Sequence, residues 1–187
     1  MSEPGAPTRR RHTARWVAGG VTVVLVVVAI VAATRPSSQA TAVPSPLIGH
    51  QAPALSARDF GGQRISLTAD RGHFVVVNFF ASWCPPCQAE EPNLVHFAFE
   101  QKVTGAKVDM VSIDIDDSTA AARRFVSQFA ITWPAIPDRA GQLASAFGVA
   151  SPPMTFFIDP AGTVVAAFAG PVQYGQLNST LSAARRA

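Results

Sequence analysis

Apolar positions along this chain follow two regimes. Between Trp16 and Ala33 they form one charge-free, valine-rich run of eighteen residues; from Leu47 onward they come in short bursts whose period switches between strand and helix. A helix rises ~1.5 Å per residue, so the first run reaches about 27 Å, close to the ~30 Å hydrocarbon thickness of a bilayer. A core helix seldom stays apolar on every face for so long. The pattern predicts a basic cytoplasmic tail over 1–15, a transmembrane anchor over 16–33 and a Thr/Ser/Ala/Pro-rich linker over 34–46. Arg9, Arg10, Arg11 and Arg15 set the N-terminus in the cytoplasm, so everything after the anchor lies outside the cell membrane. A cleaved signal peptide competes, with Ala40-Thr41-Ala42 as a small-residue site. Its apolar core is usually only 7–15 residues, and length favours an uncleaved anchor.

The second regime reads as one domain over 47–187. Gln63 to Leu67 alternates as a short strand, and Phe74 to Phe80 is a continuous apolar run suited to a strand buried on both faces. Cys84 to about Gln101 has helical spacing. Lys107 to Ile115 is a second buried strand. Ser118 caps a helix carrying Ala121, Ala122, Phe125, Val126 and Phe129. Gly141 to Phe147 is a short helix. Thr155 to Ile158 and Thr163 to Phe168 flank the turn Asp159-Pro160-Ala161-Gly162 as a hairpin. Gln173 to Arg186 closes the chain as a helix. Strands alternating with helices predict an α/β layer structure with a central, partly parallel sheet. About 140 residues bury roughly two-thirds of their unfolded surface, so neither a disulfide nor a structural metal is needed for folding.

Net charge adds one exclusion. The overall +3 divides into +4 for residues 1–43 and −1 for residues 44–187. The folded part therefore offers no basic face to nucleic acid.

The chemistry concentrates in Trp83-Cys84-Pro85-Pro86-Cys87, at the junction of a buried strand and a helix. These are the only cysteines. At a helix N-terminus, unpaired N–H groups and the dipole favour an anion, so the Cys84 thiolate gains stability. Pro85 and Pro86 suit the first turn, where their missing N–H groups cost little, and the N–H of Cys87 remains available. Two other readings stay open. Half a zinc site would need four ligands, but there is no second CxxC and His12, His50, His73 and His96 show no paired spacing. An inert structural disulfide would close so short a loop that it removes little chain entropy.

The stretch Val75-Val76-Val77-Asn78-Phe79-Phe80-Ala81-Ser82-Trp83-Cys84-Pro85-Pro86-Cys87 resembles the thioredoxin superfamily, specifically its membrane-tethered TlpA/ResA/DsbE (CcmG) group. Glu90, Pro92, Asn93-Leu94, Trp133-Pro134, Asp138, Phe147-Gly148-Val149 and Pro153-Met154-Thr155-Phe156-Phe157-Ile158-Asp159 follow in that group's order. The resemblance implies a thioredoxin-like fold, a central mixed sheet flanked by helices.

It also implies site roles. Cys84 is then the exposed nucleophile and Cys87 the resolving thiol, together a redox-active disulfide, with Trp83 packed beside them. Thioredoxins proper carry an aspartate where this chain has Asn78, which cannot shuttle protons. The TlpA/ResA group places a glutamate three residues after the second cysteine, where Glu90 stands, one helical turn from Cys87. Glu90 is the expected proton carrier, against the plainer reading of a solvent-facing carboxylate like Glu91. Pro153 is the expected cis-proline at the substrate site. Pro152 before it has no N–H to offer a bound peptide, so one β-type contact is missing.

The implied activity is extracytoplasmic thiol–disulfide exchange on protein thiols, with no cofactor or metal. The resemblance points to a reductant of apocytochrome c thiols, re-reduced by a CcdA-like membrane donor. Oxidation of secreted folding proteins is the alternative, and reduction potential decides between them. A peroxidase would carry a threonine where Ala81 stands. Copper delivery would need CxxxC spacing and a downstream histidine, and none follows His96.

Overall fold

The computed structural model describes residues 20–30, 39–67 and 72–187. The chain divides into two compact units, 1–37 and 38–187. In the first unit, residues 20–30 are helical and exposed. The expected tail over 1–15, the ends of the expected anchor and most of the linker's first half lie outside the described residues. Among those described, no helix is long and apolar enough to cross a membrane.

The second unit is a six-stranded sheet in the order β1-β8-β7-β4-β5-β6, with a separate β2-β3 ribbon. Its strands are β1 (Thr41–Ala42), β2 (Ser56–Arg58), β3 (Arg64–Ser66), β4 (Phe74–Phe80), β5 (Val108–Ile115), β6 (Ala135–Asp138), β7 (Met154–Ile158) and β8 (Val164–Ala169). Its helices are α1 (Pro85–Val103), α2 (Thr119–Gln128), α3 (Gln142–Phe147) and α4 (Tyr174–Ala184). The sheet is mixed: β4, β5 and β6 run parallel, while β7 pairs antiparallel with both β4 and β8.

β4 is central, and its unbroken apolar run follows from burial on both faces. Val75, Val77 and Phe79 point to one side, into a cluster with Ile113, Phe147 and Phe156. Val76 points to the other, with Leu94 and Phe97 of α1 and Leu177 and Leu181 of α4. Helices α1 and α4 are locked by polar contacts at their rim. Tyr174 donates its hydroxyl to Glu100 at 2.7 Å, and its ring stacks on His96 at 4.2 Å.

One sequence expectation needs correction. The linker assigned to 34–46 ends too late, because Thr41 and Ala42 pair with Ala169 and Phe168 at the sheet edge and Ala40 is buried. A two-residue edge strand carries too little pattern to be read. β6 also lacks a period-2 signature; it is four residues long with Pro137 inside, which an edge strand tolerates.

Candidate active site

β4 delivers the chain directly to the site. Ala81 to Trp83 turn out of the strand, and Cys84 is the N-cap of α1, with Pro85 and Pro86 as its first helical residues. The cysteines form a disulfide of 2.04 Å. Neither proline has an N–H, so Cys87 supplies the helix's first backbone donor, and it points to Cys84 Sγ at 3.1 Å. A sulfur anion at Cys84 would accept that bond more strongly than the neutral group does.

Two expectations change here. Cys84, expected to be exposed, is only 3% exposed in this oxidised form, against 1% for Cys87. Trp83, expected to pack beside the cysteines, is 55% exposed, and its Nε1–H donates to the carbonyl of Asp116 at 2.9 Å. Asp116 adopts φ 51°, and the next residue, Asp117, accepts the N–H of Ser82 at 2.8 Å. The turn after β5 thus holds the active-site turn at two points.

Beneath the disulfide lies a buried polar layer. Thr155, Asn78 and Ser112 are paired across β7, β4 and β5, and all three are fully buried. Asn78 Nδ2 donates to Thr155 Oγ1 at 3.1 Å and to Glu90 Oε1 at 2.8 Å. The backbone N–H of Val172 donates to Glu90 Oε2 at 2.9 Å. Glu90 is 1% exposed. Burial pushes its pKa up to about 8, and the Val172 and Asn78 donors hold it below where burial alone would take it. A carboxyl that titrates near neutral pH, one helical turn from Cys87, is matched to moving a thiol proton.

Glu91 is also 1% exposed, so the expectation that it faces solvent is wrong. Helical spacing alone does not separate the two glutamates, which lie only ~100° apart around the axis. Asn78 cannot shuttle protons itself, yet it holds the residue that can. Val172 carried no sequence signal, since its role comes from a backbone N–H, and the motif containing Thr155 did not reveal its pairing with Asn78, which comes from cross-strand register.

The Pro152–Pro153 peptide bond is cis. Pro153 is buried and Pro152 half-buried. With Pro86, Met154, Gly170 and Pro171 they line a groove of about 400 Å3, which joins the cysteine turn to the proline loop. Among the described residues no cluster of metal-ligating side chains is present.

The comparisons agree with this geometry. The AhpC/TSA family pattern matches residues 48–167. The chain is 31% identical to the thiol-disulfide oxidoreductase ResA of Bacillus thuringiensis, over 72% of this chain and 76% of that protein. It is 35% identical to the thiol:disulfide interchange protein DsbE homolog of Paracoccus denitrificans, over 70% and 71%. The structure of MTB DsbF, in mixed oxidised and reduced forms, superposes with TM-score 0.64 at 27% identity, covering 70% of this chain and 94% of that one. The chain therefore belongs to the AhpC/TSA family of thioredoxin-like proteins, as a thiol-disulfide oxidoreductase related to ResA and DsbE.

Proposed function

We propose that this enzyme works outside the cytoplasmic membrane, tethered by residues 16–33, and passes electrons to protein disulfides, with apocytochrome c as the substrate class. The observation that carries the reading is the layered site: Cys84 Sγ on the Cys87 N–H, with Glu90 buried below on Asn78 and Val172. The apolar run supports the anchor, because a soluble domain gains nothing from eighteen uncharged residues beside four arginines. The likeness to ResA and DsbE supports the reductive direction.

In this direction the Cys84 thiolate attacks a substrate disulfide, forming a mixed disulfide and releasing one substrate thiolate. Cys87 gives its proton to Glu90, and the Cys87 thiolate attacks Cys84 Sγ. The second substrate thiolate leaves, so two electrons have passed to the substrate and Cys84–Cys87 is a disulfide. A CcdA-like membrane dithiol then restores the reduced pair. Because Pro152 offers no N–H, the substrate is held by the apolar groove and fewer backbone bonds.

The test is capture. Cys87→Ser in the native membrane leaves Cys84 unable to release its partner, so mixed disulfides accumulate. Apocytochrome c and a polytopic membrane thiol protein among the captured species support the proposal. A broad set of folding secreted proteins, with none of these, points to oxidation instead.

A further inference from the structure

Glu91 follows Glu90 on α1 and is equally buried, each 1% exposed. Their surroundings differ. Glu90 receives one N–H on each oxygen, from Asn78 and Val172. Neither oxygen of Glu91 has a hydrogen-bond partner. The charged group that acts on it is Glu90, whose repulsion adds to burial in raising the Glu91 pKa to about 8.

An ionised carboxylate only accepts hydrogen bonds and is costly to bury without donors, whereas the neutral acid tolerates an apolar site far better. Two neighbouring buried carboxyls without a neutralising cation hold at least one proton between them. The donors decide where it sits. Both are spent on Glu90, which favours its charged form, and none reaches Glu91. We propose that Glu91 is a resident neutral acid that keeps the pair's last proton, so that Glu90 is the first of the two to ionise and the one that accepts the proton of Cys87. This rests on Glu90 being the carrier for Cys87.

The proposed role is to hold the charge of the patch constant. When the Cys87 thiol passes its proton to the Glu90 carboxylate, one negative charge moves from oxygen to sulfur and the net charge stays at minus one. Were Glu91 ionised, two unscreened charges would sit there before and after the transfer. Other titratable groups on the elements around α1 are engaged elsewhere. Asp114, paired with Phe80 in the sheet, interacts with Asp117 and Arg139. Tyr174 at the start of α4 binds Glu100, and His96 stacks on Tyr174. Arg123 of α2 reaches the carbonyl of Phe60.

Infrared spectra of the oxidised full-length protein, titrated from pH 7 towards pH 10, test this directly. Carboxylic-acid C=O intensity of the wild type should fade in two steps, and the later step should be missing in Glu91→Gln and present in Glu90→Gln. Glu91→Leu should also fold and lack the later step. A later step that survives in Glu91→Gln and disappears in Glu90→Gln overturns the proposal, as does a wild-type titration with no acid intensity that Glu91→Gln affects. Unfolding of both Glu91 variants at pH 7 overturns it too, because a neutral acid without partners is replaceable. The underlying reading is tested separately by exchange rate. Glu90→Gln should slow exchange about a hundredfold near pH 7; an unchanged rate and pH profile would remove Glu90 from the chemistry, while the infrared assignment of Glu91 would stand or fall alone.

Discussion

On one face of the central sheet, Phe79 of β4 lies 5.9 Å from Phe156 of β7 and 5.3 Å from Phe147 of α3, which are themselves 5.1 Å apart between ring centroids, inside a cluster of purely apolar side chains. On the other face the same strands carry Thr155, Asn78 and Ser112, and α1 lays Glu90 and Glu91 near them with no water-accessible surface to speak of. Neighbouring residues of the same strands thus build a wholly apolar core on one side and, on the other, a proton-handling layer beside a second apolar cluster of Val76, Leu94, Phe97 and Leu177. The lesson is a division of labour. The apolar clusters supply stability that the polar layer consumes, because a buried carboxyl without donors, as at Glu91, costs free energy which nothing local offsets.

The largest effect of a single substitution should come from breaking the apolar face. Phe156→Ala removes a fully buried ring from the aromatic trio and should cost about 3–5 kcal/mol of stability, read as a lowered denaturant midpoint. Exchange per folded molecule should change far less than stability. A loss below about 1 kcal/mol would mean that the two faces are not unequal partners.

Next is pH, which should act through the polar face. Glu90 and Glu91 each rise from 4.5 to about 8, and Asp114 from 3.8 to about 7 by burial and the nearby Asp117. In the folded protein these groups hold protons that the unfolded chain has already released between roughly pH 4 and pH 8. Stability should therefore be greatest at the acid end of that window and decline as pH rises through it, levelling off above about pH 8. Each group acts with a slope of up to about 1.4 kcal/mol per pH unit. Thermal melts of the oxidised protein at pH 5 and pH 8 check this: a higher midpoint at pH 8 would show that the carboxyls are charged when buried.

The smallest effect should be at the rim. Trp83→Phe keeps the ring but loses the bond from Nε1 to the Asp116 carbonyl, worth about 1 kcal/mol. The Ser82 to Asp117 bond remains, so the turn should loosen rather than detach, and the melting point should fall by a few degrees. A drop as large as that of Phe156→Ala would make the rim part of the stability core.

Much of this was legible in the residues alone. The run Phe74–Phe80 reads as a doubly buried strand, Cys84-Pro85-Pro86-Cys87 as a dithiol at a helix start, and Ser118 as a cap, whose Oγ does accept the Ala121 N–H at 3.2 Å. Each is a local signal, set by periodicity or by which residues a helix terminus accepts. The edge strand β1, the exposure of Trp83 and the burial of Cys84 were not legible, because each depends on a segment distant in the chain.

The dithiol, the strand feeding it and the helix that Cys84 caps are written into the residues, since they follow from hydrogen bonding and period within a dozen positions. Folding in three dimensions settled that Glu91 is buried, that Asn78 and Val172 hold Glu90 and not its neighbour, and that Pro86 and Pro153 share one groove. Solvation and the supply of hydrogen-bond donors are set by what packs against a side chain, and the donor at Val172 lies 82 positions from Glu90.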